Sequence, residues 1–186
     1  MTAPKTALIL VDVINSFFLE GQPNFYPAAL DVLGPLHDLL AAARAGGHVV
    51  VHAVEQHYPE FDDYEFKKLP RHHMEGAIDA AFFGEFHPEG PREIVTRKRR
   101  FSAFFATDLA LFLHEQRMER VIIAGVKTNV CIRASAQDAF AHGFDVVVPR
   151  EATNSNRPHL AEASLEDIDR YIGRVVPLAD ALEMLA

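Results

Sequence analysis

The sequence predicts a doubly wound α/β fold: a three-layer α/β/α sandwich around a mainly parallel sheet of about six strands. Three observations carry this reading. Short apolar runs rich in Val and Ile recur along the chain, nearly continuous rather than alternating, as strands read when both faces of a parallel sheet are covered. Leu- and Ala-rich segments with helical spacing separate those runs. The two kinds of segment alternate throughout, so right-handed crossovers follow.

The strands are expected at ALILVDV (7–13), HVVVHAV (48–54), REIVTRK (92–98), RVIIAGV (120–126), FDVVVP (144–149) and RVVPL (174–178). The REIVTRK run has the weakest apolar signal. ALDVLGPLHDLLAAARAGG (29–47) is expected to be helical and to stop at its Gly pair. ATDLALFLHEQRM (106–118) carries Leu109, Phe112 and Leu113 on one face, with Thr107 as a candidate N-cap. NVCIRASAQDAFAHG (129–143) and HLAEASLEDIDRYIG (159–173) complete the helices, each ending at Gly. Residues 57–91 mix His, Phe, acids, Pro and Gly. Loops with a short helix around Glu75–Phe83 are expected there, forming a lid or pocket wall.

At 186 residues, with 49% hydrophobic and 24% charged residues, the chain reads as one globular domain spanning 1–186. A net charge of −8 argues against a nucleic-acid partner, which needs a cationic face. No stretch approaches the roughly 20 apolar residues needed to cross a bilayer, so no membrane partner is expected. The opening MTAPKTALILVDV is too short in apolar run for a signal peptide and is expected to enter the fold directly. With one cysteine there is no internal disulfide, and a cytoplasmic setting is expected.

Ligands of open parallel sheets bind at the carboxyl ends of the strands. Asp12 closes the first strand, Lys98 ends REIVTRK, and Cys131 follows RVIIAGV. Asp12, flanked by Val11 and Val13, is either a paired buried carboxylate or a turn cap. Lys98 lies in the run RKRR; a solvated face is the ordinary reading, but strand alternation turns Lys98 away from Arg97 and Arg99. Cys131 is either a small packing residue or a nucleophile. With Thr128 or Asn129 as N-cap it falls in a first helical turn, where the macrodipole lowers a thiol's pKa.

Three motifs extend this picture: LILVDVINSFF near the start, KRRFSAFFATDL (98–109), and GVKTNVCIRASAQDAFAHGFDVVVPREAT (125–153). On these the sequence resembles the isochorismatase-like cysteine hydrolase superfamily over nearly its whole length. The resemblance implies a Rossmann-like sandwich and a catalytic triad of Asp12, Lys98 and Cys131. It also implies a cis peptide at Val126–Lys127, with the backbone N–H groups of Lys127 and Cys131 lining an oxyanion hole. Cys131 points to the amide-hydrolysing branch of N-carbamoylsarcosine amidases, ureidoacrylate and biuret hydrolases and nicotinamidases, because the isochorismatases proper lack this cysteine.

Two departures stand out. Ile14 replaces a Gln common two residues after the Asp. Nicotinamidases hold a metal through Asp-x-His and a further His; here Glu55 and His57 imitate the pair, but no His follows within several residues. His72 and His73 join only if folding brings them back, so neither a metal nor another cofactor is expected. Asn15, Phe17 and Phe104 are the candidate substrate-binding residues, with Tyr58, Phe61, His72 and His73 as further wall candidates.

The expected activity is cysteine-dependent hydrolysis of a C–N bond in a small amide, carbamoyl or ureido compound through a thioester. The alternatives are vinyl-ether hydrolysis with Cys131 a bystander, or a small-ligand-binding module. A homo-oligomer, dimer or tetramer, is expected from the resemblance, with FFLEGQPNFY (17–26) and AAFFGEFHP (80–88) as contact surfaces.

Overall fold

The computed structural model describes residues 4–186; Met1–Ala3, the start of the segment expected to enter the fold directly, lies outside them. The strands are β1 (Thr6–Val11), β2 (Val49–Glu55), β3 (Glu93–Lys98), β4 (Arg120–Val126), β5 (Asp145–Pro149), β6 (Thr153–Asn154) and β7 (Arg174–Val176). All pair in parallel, in the order β3-β2-β1-β4-β5-β7, with the two-residue β6 beside the end of β4. The short β6 is the strand that apolar patterning missed, since Thr153 and Asn154 carry no hydrophobic signal.

The helices are α1 (Asn15–Phe18), α2 (Leu33–Ala45), α3 (Leu109–Glu115), α4 (Arg133–Ala141), α5 (Pro158–Tyr171) and α6 (Leu178–Glu183). Period-two alternation in the strands divides the core. Leu8, Leu10, Val50, Val54 and Ile122 pack with Leu36, Leu39 and Leu40 of α2 on one face. Ala7, Ile9, Val11, Val51 and Ile123 pack with Leu109, Ala136, Leu165 and Ile168 of α3, α4 and α5 on the other. Burying each Leu or Ile fully contributes about 2 kcal/mol, which is why these runs hold both faces at once. Among the described residues no helix is long and apolar enough to cross a membrane.

Several boundaries differ from expectation. The helix expected over 29–47 divides into a 3-10 turn, Pro27–Val32, and α2. α3 begins only at Leu109 after Asp108, and the Thr107 hydroxyl donates to Ala103 O at 2.7 Å and accepts the Leu109 N–H at 3.4 Å. The segment 75–83 holds only a 3-10 turn at Ile78–Ala80. The aromatics of 17–26 and 80–88 turn largely inward: Phe18 meets Phe83 at 5.5 Å, and Phe17, Tyr26 and Phe86 are buried. Phe25, Phe82 and Phe83 stay half-buried at the surface of those segments.

Candidate active site

The sheet's crossover direction reverses between β1 and β4, which opens a crevice at the carboxyl ends of the central strands. Gly125 makes the close approach there. Its φ is +117°, and a Cβ would lie 2.1 Å from Val11 O.

Asp12 leaves β1 with φ +55°, a left-handed conformation that Asp tolerates better than most residues. Its N–H donates to Ala53 O at 2.8 Å, and its Oδ1 accepts the Glu55 N–H at 2.8 Å. The carboxylate is thereby tied to the end of β2. Lys98 is wholly buried at the end of β3 while Arg97 and Arg99 are exposed, as strand alternation anticipates. Its Nζ stands 2.8 Å from Asp12 Oδ2 and 3.7 Å from Cys131 Sγ. Burial opposes the ammonium, but Asp12, Cys131 and Glu55 outweigh it and raise the Lys98 pKa.

Cys131 does not sit in the first turn of an α-helix. The peptide Val126–Lys127 is cis, and a wide turn, Thr128–Ile132, precedes α4. Lys127 O accepts the N–H groups of Val130 at 3.0 Å and Ile132 at 3.2 Å, and the Cys131 amide lies between them. Neither Thr128 nor Asn129 caps it: the Thr128 and Thr153 hydroxyls bond at 2.8 Å. The expected lowering of the thiol pKa is overturned as well. Burial pushes the Cys131 thiol well up, and Asp12 and Glu55 add to this against the pull of Lys98. These effects favour the neutral thiol at rest, with one donor atom each of Asp12, Glu55 and Cys131 within 4.8 Å of one another.

A cavity of about 1000 Å³ lies over Cys131. Phe17, His72 and His73 help line it. Asn15 and Phe104 are placed elsewhere: the Asn15 amide donates to Ile78 O at 3.0 Å, and buried Phe104 packs against His142 and Phe144. Tyr58 lines a neighbouring cleft, and Phe61 is exposed.

Beside the thiol stands a cluster that the spacing of the chain concealed. The bridge between His57 and Met74 draws the loop back onto the end of β2. Glu55 Oε1 then faces His57 Nε2 at 3.7 Å and His72 Nε2 at 3.8 Å, and Glu65 Oε1 is 3.6 Å from His72 Nε2. His57 Nδ1 is bonded to Asp63 at 3.1 Å and His72 Nδ1 to Pro70 O at 2.6 Å, which directs both Nε2 atoms inward. Glu55 Oε1, His57 Nε2 and both Glu65 carboxylate oxygens are buried without a hydrogen-bond partner. Glu55 and Glu65 push His72 up to about 10. His73 points elsewhere, to Glu55 Oε2 at 3.2 Å and Ser16 Oγ at 2.7 Å. Glu65 had no motif to announce it; two unpartnered buried carboxylate oxygens mark it.

Residues 6–180 match the isochorismatase domain. The chain is 38% identical to a maleamate amidohydrolase from Pseudomonas putida, with 97% of this chain and 87% of that protein covered. It superimposes on a nicotinamidase/pyrazinamidase from Bacillus subtilis with a TM-score of 0.86 at 30% identity, over 93% of this chain and 99% of that one. A Pyrococcus horikoshii pyrazinamidase in complex with zinc gives a TM-score of 0.84 at 26% identity, over 94% and 99%.

Proposed function

The chain belongs to the isochorismatase family, and we propose that it is a cysteine-dependent amidohydrolase cleaving the C–N bond of a small amide, carbamoyl or ureido compound. The observation that carries this reading is the contact of Lys98 with both Asp12 and Cys131 beneath one cavity. The amide-hydrolysing relative from Pseudomonas putida supports it.

Asp12 Oδ2, which has no hydrogen-bond partner among the described residues beyond its ion pair with Lys98, accepts the thiol proton as Sγ attacks the carbonyl carbon. Because the resting thiol is neutral, this transfer accompanies the attack. The N–H groups of Lys127 and Cys131 hold the oxyanion. Collapse breaks the C–N bond, and the departing nitrogen takes the proton from Asp12. A thioester remains. Asp12 then removes a proton from water, whose oxygen attacks the thioester and releases the carboxylic acid with the thiol restored. Lys98 keeps the Asp12 carboxylate in place and offsets the developing negative charge on sulfur.

Glu55, His57, Glu65 and His72 fit a divalent ion: their donor atoms lie within 4.8 Å of one another, and three of the residues carry orphaned atoms. A bound ion would supply a Lewis acid next to the thiol. The zinc of the Pyrococcus horikoshii relative supports this fit. We also read the protein as a cytoplasmic homo-oligomer, dimer or tetramer; exposed Phe61, Tyr64 and Phe101 supply apolar surface for association.

Ammonia release from a panel of small amides and ureas tests the activity. Cys131→Ala should abolish turnover, and intact-mass measurement should show a substrate-derived adduct on the wild-type chain only. Undiminished turnover by Cys131→Ala would exclude the mechanism.

A further inference from the structure

Six cations stand in or beneath the cavity wall, and two of them, Lys67 and Lys68, are exposed to solvent. Lys98 is paired with Asp12, Arg100 reaches Asp63 at 2.8 Å, and Arg71 donates to Pro59 O at 2.8 Å. Lys127 differs. It is half-buried in the cavity wall, and the ionisable groups acting on it are the Cys131 thiol and the repelling Arg157 guanidinium, with no carboxylate among them. Its Nζ lies 5.4 Å from the Phe17 ring centroid and 5.8 Å from that of Tyr26. Tyr26 is itself anchored, its hydroxyl donating to Asn154 Oδ1 at 2.7 Å.

A half-buried ammonium without a counter-ion is costly. Burial lowers the Lys127 pKa accordingly. The aromatic faces offset only part of this cost, because cation–π contacts at such distances are weak. An anion entering the cavity would complete the charge balance, and the position of Lys127 says where that anion sits. Lys127 is four residues before Cys131 and lines the same cavity, so its side chain and the thiol address one bound molecule.

We propose that Lys127 is the specificity-determining residue of this site: its ammonium binds a carboxylate carried by the substrate, while Cys131 attacks the amide carbonyl at the substrate's other end. The substrate class is thereby a short carboxylate-bearing primary amide. This deepens the amidohydrolase reading and rests on it. The anion also fixes which of two carbonyl groups meets the thiol, because the carboxylate end is held away from Sγ. Charge-assisted pairing of a carboxylate with an unpaired ammonium favours such a substrate over its uncharged analogue.

The test compares maleamate with maleamide, the neutral diamide of the same shape, in the wild type, Lys127→Met and Lys127→Arg. The ratio of kcat/KM for maleamate over maleamide should fall about 30-fold or more in Lys127→Met, mainly through KM, and recover in part in Lys127→Arg. Maleate binding by calorimetry to Cys131→Ala, with and without Lys127→Met, supplies a readout independent of turnover. The second substitution should weaken maleate by a similar factor. An unchanged substrate ratio, or maleate bound equally by both proteins, overturns the proposal. Should the wild type hydrolyse no amide yet bind maleate through Lys127, the anion site stands and the amidohydrolase reading falls. Should amides be hydrolysed with no preference for the charged substrate, the reverse holds.

Discussion

The Lys98 ammonium lies 2.8 Å from Asp12 Oδ2, and neither side chain reaches solvent. Breaking such a pair strands the surviving charge and costs about 3–5 kcal/mol, whereas removing both partners costs far less than the sum. Asp12→Asn and Lys98→Met should therefore each destabilise the fold strongly in urea titrations. The double variant should be more stable than additivity predicts, by about 1 kcal/mol or more. All three should lose activity. Additive single effects below about 1 kcal/mol would show that the pair is not coupled in the folded chain.

Cys131 is 4% exposed, and its thiol is held up by burial and by the Asp12 and Glu55 carboxylates. Iodoacetamide at neutral pH should thus alkylate the native chain about tenfold or more slowly than a free thiol, with normal labelling after unfolding. Lys98→Met should slow native labelling further, because Lys98 is the charge that favours thiolate. Native labelling as fast as that of a small free thiol would contradict the neutral resting state.

The parallel strands were legible because they depend on local pattern, which also set Asp12, Lys98 and Cys131 at strand ends. Only the resemblance joined those three into a triad. Continuous Val/Ile runs mark strands covered on both faces, and alternation alone separates buried Lys98 from exposed Arg97 and Arg99. What escaped depends on distant contacts. The wide turn at Thr128–Ile132 is set by the chain's departure from β4, and the Thr128 hydroxyl that promised a cap is spent on Thr153. His72 joins Glu55 only because His57 pairs with Met74 across the loop. Glu65 enters from a 3-10 turn, Tyr64–Lys67, that carries no periodic signal.

The four-residue cluster predicts a retained ion. The chain dialysed against zinc and then against buffer should hold about one equivalent by elemental analysis. His57→Ala and His72→Ala should lose it, and Glu65→Gln should weaken binding by about tenfold. Zinc should also raise the melting temperature of the wild type, and less so that of the variants. A wild-type chain that retains no zinc, cobalt or manganese would show that the cluster is filled by protons alone.

The last prediction concerns the opposite end of the sheet, where Glu93 begins β3. It accepts from Arg44 Nε at 2.8 Å and Nη2 at 3.0 Å, and from His52 Nε2 at 2.9 Å. Burial would raise its pKa, but Arg44 and His52 outweigh burial and hold the carboxyl at about 2, against an ordinary 4.5. The folded value lies below the unfolded one, so the carboxylate's contribution is fully present above the unfolded pKa. It is lost as pH falls from about 4.5 towards 2. Arg44 is 26% exposed, so solvent screening reduces the contribution to about 2 kcal/mol near neutrality. Glu93→Gln should therefore lower stability by about that amount at pH 7. The gap to the wild type should narrow steadily below about pH 4.5, because protonation makes the wild-type side chain neutral too. Urea titrations of both proteins over this range measure it, and a gap independent of pH would exclude an ionised Glu93 as its source.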